Sequence, residues 1–249
     1  MPIQPIDSRR LYEQVADQIG DLIRSGEFAP GQRLPAERDL AKTLGVSRPV
    51  VREAMIALEI MGLVEVRTGS GAFVRELRAD GQKRVNPGHS PSDILNARML
   101  IEGEIAALAA RSATPEDIAT MAGSLDQMTR DHEAGRPWSP ADLAFHAAIA
   151  RASGNAALAS VVEGLWQEQH SPVFSILSER MHLQENWPAT LRGHAEILDA
   201  IRRRDARAAR AAMRAHLRQV LDVMTGDAAS EIGEGGGPRS GHALKAAEV

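Results

Sequence analysis

The sequence predicts a mainly α-helical chain in two parts. Three helices and a two-stranded β-hairpin come first, followed by an all-α antiparallel bundle of about six helices. Three observations predict this. Apolar residues recur at helical spacing on both sides of one alternating stretch, Leu63 to Val74. The segment Arg75 to Pro91 carries charges, glycines and prolines without apolar periodicity, and so reads as a linker. Beyond it, helix-start signatures recur at Thr114-Pro115-Glu116-Asp117 and Ser139-Pro140-Ala141-Asp142.

Met1 to Ser8 is a short arm. Leu11, Val15, Ile19, Leu22 and Ile23 share one face of a first helix, which Gly26 and Pro30-Gly31 end. Leu34-Pro35-Ala36-Glu37 opens a second helix, with Pro in its first turn and a carboxylate at its positive dipole end. Leu40, Ala41 and Leu44 form its apolar face, and Gly45 is suited to a left-handed C-cap. Val46 plugs the gap between helices, and Ser47 is the N-cap of a third helix, Arg48 to Met61. Val51, Ala54, Met55, Leu58 and Met61 are its buried stripe, which leaves Arg48, Pro49, Val50 and Arg52 on or beside the outer face. Leu63 to Arg67 alternates as a strand, Thr68-Gly69-Ser70-Gly71 turns, and Ala72-Phe73-Val74 returns. This is a helix-turn-helix with a β-wing, a shape that offers the start of its last helix to a DNA major groove.

In the second part Ser92 caps a helix through Ile94, Leu95, Leu100, Ile101, Ile105 and Leu108. The Thr114 helix carries Ile118, Met121, Leu125 and Met128 and ends near Gly135. The Ser139 helix carries Leu143, Ala147 and Ile149 and stops at Ser153-Gly154-Asn155. One helix from Ala156 to Leu177, bent at Pro172, is followed by Trp187 to Arg204 and by a last helix that Asp205 caps. The boundaries are therefore 1–76 for the winged part, 77–91 for the linker, 92–226 for the bundle and 227–249 for a tail expected to be disordered from its Gly, Ser, Ala and charge content.

With 249 residues and a net charge of -4, the chain is no globally basic nucleic-acid coat, so DNA binding must be confined to a patch. Arg33, Arg38, Lys42, Arg48 and Arg52 outnumber Glu37 and Asp39 in the helix-turn-helix and supply that patch. The absence of cysteine excludes disulfides, iron–sulfur clusters and thiolate ligands or nucleophiles. Aromatic residues at 3% argue against a stacking platform for single strands. No run is long and apolar enough for a membrane span and no signal pattern opens the chain, so a cytoplasmic location is expected.

Asp142 and His146 lie four apart and project from one helix face, while His194 and His216 sit on two later helices. Three imidazoles and a carboxylate converging in a bundle make a first-row metal site with one or two open positions. The same residues have other readings. Asp142 is equally the N3 member of a capping box with Ser139, His146 and His194 can be hydrogen-bonded core residues, and His216 can lie on the surface among Arg214 and Arg218. Glu102 is the candidate general base if the site is hydrolytic, though nothing beside the ligands supports it.

The phrases LPAERDLA, GVSRPVVREA and GLVEVRTGSGAFV resemble the winged-helix domain of GntR-family bacterial transcription regulators. RMLIEGEIAALAA, DLAFHAAIARASGN and GHAEILDAIRRRDARAARAAMRAHL resemble the helical FCD-type effector domain of that family's FadR-like branch. The resemblance implies DNA contacts from Arg38, Ser47, Arg48, Pro49, Val50, Arg52, Thr68 and Gly69. It implies metal ligation by Asp142, His146, His194 and His216, because His194 follows His146 by 48 residues and His216 follows by a further 22, the family's spacing. It places Arg98 toward the metal cavity as the partner of an effector carboxylate. The expected protein is a homodimeric regulator and repressor, not an enzyme. Double-stranded operator DNA, a small carboxylate (a sugar acid or other organic acid) and a divalent metal, zinc first with nickel or manganese as alternatives, are its partners. A sensor of the metal itself, or a regulator with a merely structural metal, is the alternative.

Overall fold

The computed structural model describes residues 10–67, 69–76, 88–136, 140–169, 171–181 and 183–226. Thr68, Ser139, most of the linker and the tail from 227 lie outside them. The winged part has α1 (Leu11–Arg24), α2 (Glu37–Leu44), α3 (Arg48–Ile60), β1 (Val64–Arg67) and β2 (Gly71–Val74). The strands pair antiparallel with Val64 opposite Val74 and Arg67 opposite Gly71. A third segment lies on β2: Leu34 N–H donates to Ala72 O at 2.9 Å and Val74 N–H to Gln32 O at 2.9 Å. The proline and glycine around it hid this pairing from a periodicity reading.

Gly45 takes the left-handed C-cap at φ 69°. Ser47 has the extended N-cap backbone but makes no side-chain cap bond, so its hydroxyl stays exposed in front of α3. Pro35 precedes α2 rather than sitting in its first turn.

The bundle has α4 (Pro91–Ser112), α5 (Pro115–Glu133), α6 (Pro140–Ala152), α7 (Ala156–Glu168), α8 (Pro172–Arg180), α9 (Trp187–Arg202) and α10 (Ala206–Thr225), with a single 3₁₀ turn at Leu183–Asn186. Two boundaries differ from expectation. Ser90, not Ser92, caps α4 by accepting from Asp93 N–H at 3.2 Å, which puts Pro91 at the first helical position. The expected bent helix from 156 is two helices, because Pro172 has no N–H to continue the ladder and Ser171 caps a new start at Phe174 N–H. Thr114 and Asp117 form a full capping box, worth about 1 kcal/mol for the cap bond alone.

The described residues form two apolar cores. Tyr12, Val15, Ile19, Val51, Leu58, Leu63 and Val64 centre the first. Leu95, Ile105, Met121, Phe145, Ile149, Ile197 and Met213 centre the second. Helix α3 serves both. Its Val51–Leu58 stripe enters the winged core, while Ile56, 1% exposed, belongs to the bundle core and Ile60 packs against it. Arg52, Ile56, Glu59 and Ile60 follow helical spacing, so this second face is a real helix side turned to α8. Polar ties reinforce the junction. Tyr12 OH donates to Gly88 O, Ser92 Oγ donates to Glu53 at 2.9 Å, and Arg180 pairs with Glu59.

Candidate functional site

Five helices converge on the buried histidines: α4 brings Arg98 and Glu102, α6 Asp142 and His146, α7 Trp166, α9 His194, and α10 His216. His146, His194 and His216 are 1%, 0% and 4% exposed, so the surface alternative for His216 is wrong. The helix stripe that reads as arginine-rich from sequence turns its Ala209, Met213 and Leu217 side inward, and His216 lies on that side.

His194 Nε2 is 2.9 Å from Asp142 Oδ1 and 3.3 Å from His146 Nε2, and His146 Nε2 is 3.5 Å from the same oxygen. One nitrogen from each of the three imidazoles fits within 4.8 Å of the others. Metal bonds of about 2.0–2.1 Å in a tetrahedron set donors roughly 3.3 Å apart, so these separations fit an ion. The hydrogen bonds behind the rings fit as well. His194 Nδ1 lies 2.9 Å from Thr190 O, which only accepts, so Nδ1 carries the proton and Nε2 keeps a lone pair. His216 Nδ1 is buried with no hydrogen-bond partner among the described residues. A lone pair on His194 Nε2 beside the Asp142 carboxylate oxygen fits a cation between them.

Ionisation follows from the same contacts. Burial opposes the charge of Asp142, but His194 and His146 outweigh it and hold the carboxyl well below its ordinary range. Burial pushes His216 well below an ordinary imidazole, and the neighbouring His194 and His146 push the same way, so it stays neutral as a ligand must. Burial also disfavours charge on His146, yet Glu102 and Asp142 overcome it and raise its pKa.

Arg98 is 2% exposed, and its Nη2 stands 3.4 Å from His146 Nδ1. Its Nε and Nη2 reach Glu102 at 2.5 and 3.3 Å, and its guanidinium sits 4.2 Å from the Trp166 ring centre. Two residues here had no sequence signal as site residues. Trp166 looks like any core aromatic. Gly193 looks like a weak helix position, but a Cβ there would stand 2.8 Å from His216 Nδ1 and 3.2 Å from its Cβ. Gly193→Ala is therefore expected to weaken zinc binding about tenfold or more while helicity is kept, since alanine itself favours the helix. Competition with a chromophoric chelator measures this, and unchanged affinity would show that His216 is not a ligand.

On the winged part, Arg38, Ser47, Arg48 and Gly69 are exposed, and Pro49 and Val50 are half-buried, Val50 against the winged core. Arg52 is different. Its Nη1 donates to Thr225 O at the end of α10 at 2.7 Å and its Nη2 to Glu37 at 3.1 Å. Arg38, Arg48, Arg52 and Gly69 line a cavity of about 720 Å³ whose other wall includes Leu177 and Arg180 of α8 and Met181 just beyond it. The bundle thus stands against the face that carries the predicted DNA contacts.

Two family models match the chain. "Bacterial regulatory proteins, gntR family" covers residues 11–74 and the FCD domain covers 93–219. The chain belongs to the GntR family. Within that family, it is 39% identical over 226 residues to the Uxu operon transcriptional regulator of Escherichia coli K12, covering 86% of each chain. It is also 39% identical over 219 residues to the Exu regulon transcriptional regulator of the same strain, covering 85% of this chain and 83% of that one. Among solved structures, Streptococcus agalactiae GntR aligns at a TM-score of 0.45 with 29% identity, over 84% of this chain and 98% of that one. This GntR-family chain is a DNA-binding transcription regulator, and its relatives are regulators rather than enzymes. No helix among the described residues is long and apolar enough to cross a membrane.

Proposed function

We propose that this GntR-family regulator is a homodimeric repressor released from its operator by a small carboxylate at a metal site formed by Asp142, His146, His194 and His216. The observation that carries the reading is the convergence of Asp142, His146 and His194 at 2.9–3.5 Å, with His216 offering a nitrogen within 4.8 Å of those of the other two histidines and Arg98 beside them. Its relatives control the Uxu operon and the Exu regulon, and a sugar acid or other organic acid is the effector class we assign by that kinship. A divalent ion, zinc first with nickel or manganese as alternatives, would supply a Lewis-acid centre for an effector oxygen. Residues 1–76 act as the DNA-reading unit and 92–226 as the sensing unit. Leu100 and Leu108, exposed on α4 at 67% and 38%, support association of two copies.

Arg98 was expected to pair with the effector carboxylate. Its fork already faces Glu102, so the acid reaches it only by sharing or replacing that contact. An ion held by Asp142, His146, His194 and His216 would be the effector's primary anchor. Coupling to DNA runs along α10, which holds His216 in the site and Thr225 O on Arg52. A ligand that favours this held-back arrangement lowers operator affinity only by its preference for it over the DNA-bound one.

A second reading has its own support: four protein donors could by themselves fill the coordination of a zinc ion, which would suit an ion that is itself sensed or is structural. One experiment separates them. The purified protein selects its duplex from a random pool, and binding is followed by fluorescence anisotropy against a panel of sugar acids, with zinc and after chelation. Release by one acid in the zinc-loaded protein alone is the expected result. Control by zinc without any acid makes the chain a metal sensor, and an acid response that survives chelation makes the metal structural.

A further inference from the structure

Glu102 is 2% exposed and one turn from Arg98 on α4. As a general base it has no free oxygen in the right place. Its Oε1 accepts from Arg98 Nε at 2.5 Å, and its Oε2 lies 2.5 Å from His146 Nδ1. We infer that Glu102 is the positioning residue of the metal centre: clamped by Arg98, it fixes His146 with Nδ1 protonated and Nε2 turned to the ion. This rests on the metal reading above.

The chemistry is a carboxylate–imidazole–metal relay. A carboxylate held between an arginine and an imidazole can only accept, so the proton must sit on Nδ1. The lone pair of His146 then points from Nε2 toward Asp142 Oδ1 and His194 Nε2, where the ion belongs. A charged acceptor behind the ring also makes the imidazole a stronger donor to a metal. The three histidines are graded in this respect. His146 is backed by a carboxylate and His194 by the Thr190 carbonyl, while His216 Nδ1 has no hydrogen-bond partner among the described residues.

Arg98 has a defined part in this. Both of its nitrogens that reach Glu102 come from the same side of the fork, and the Trp166 ring, its centre 4.2 Å away, covers one face of the guanidinium. A planar cation between a ring face and a carboxylate is attracted to both, which holds Glu102 at the angle His146 needs. Arg98 Nη2 also stands 3.4 Å from His146 Nδ1. With Nδ1 protonated this is a contact between two donors, tolerated only because Glu102 lies between them.

The test uses the full chain, zinc and cobalt(II). Glu102→Gln keeps an oxygen acceptor but loses the charge. It also leaves Arg98 buried without a counter-ion, so a second variant, Arg98→Met with Glu102→Gln, removes the pair together, a change that buried ion pairs often tolerate. Zinc affinity by calorimetry is expected to fall roughly 10–100-fold in both. The cobalt(II) visible bands should shift in both. Nitrogen-15 spectra of the zinc-loaded wild type should show His146 protonated at Nδ1 and metal-bound at Nε2. Wild-type affinity and an unchanged cobalt spectrum in the double variant overturn the positioning role and leave the metal site standing. A wild-type protein that takes up no zinc overturns both. Loss of zinc binding with the wild-type His146 nitrogen pattern retained on residual loading also overturns it, since a structural loss does not act through the ring.

Discussion

Replacing His194 with alanine is expected to erase the metal-dependent rise in melting temperature. His194 Nε2 is the closest of the nitrogens to Asp142 Oδ1, at 2.9 Å, and lies 3.3 Å from His146 Nε2, so its loss opens the middle of the donor set. A ligand at a hundred times its dissociation constant adds about 2.7 kcal/mol to the folded state. For a chain of this size each kcal/mol moves the melting point by about 2–4 °C, so zinc should raise the wild type by roughly 5–10 °C. The rise should also grow with pH. In the metal-free protein the His146 imidazolium, paired with Glu102 and Asp142, stabilises the fold below the ordinary imidazole value of 6.5. That contribution is lost as pH rises through its raised pKa, while zinc binds better once the proton is gone. Differential scanning fluorimetry between about pH 6 and about pH 8, with zinc and with chelator, reads both effects. A His194→Ala protein that still responds to zinc would place the ion elsewhere.

Arg48→Ala should weaken operator binding by about 10–100-fold, the loss of about 1–3 kcal/mol typical of an arginine that reads a base edge. Arg48 is exposed at the first position of α3, where a recognition helix meets the major groove. Arg180→Ala should act in the opposite direction. Arg180 is no DNA-reading residue in this scheme; it pairs with Glu59 and ties α3 to α8. The pair is partly exposed, at 29% and 21%, so its removal is worth about 0.2–1 kcal/mol. Operator affinity without effector should then tighten by up to about fivefold. Arg52→Ala combines both effects, losing a groove contact and the hold on Thr225 O, and should fall between the other two. Anisotropy titrations at one salt concentration compare the three variants. Weaker binding by Arg180→Ala would mean that α8 helps to bind DNA, and the held-back arrangement would be wrong.

The sequence by itself determined the helix-turn-helix, the wing and the helical bundle. The signals were local: apolar spacing along α1 to α3, the glycine stop at Gly45, the alternation through β1, and the helix start at Thr114-Pro115. Such signals survive in sequence because the physics that sets them acts within one or two turns. Asp142 and His146 belong to the same class, four apart on one helix. His194 and His216 came from family spacing, and only the packing of α6, α9 and α10 brought them into one pocket. Tertiary structure alone decided the rest. It split the expected helix at Pro172, turned the Ile56 face of α3 into the bundle core, and gave Arg98 the carboxylate of Glu102. It also made Gly193 the gap through which His216 approaches α9. Each of these depends on which side chain fills the space opposite, and residues far apart in the chain settle that only when the helices close on one another.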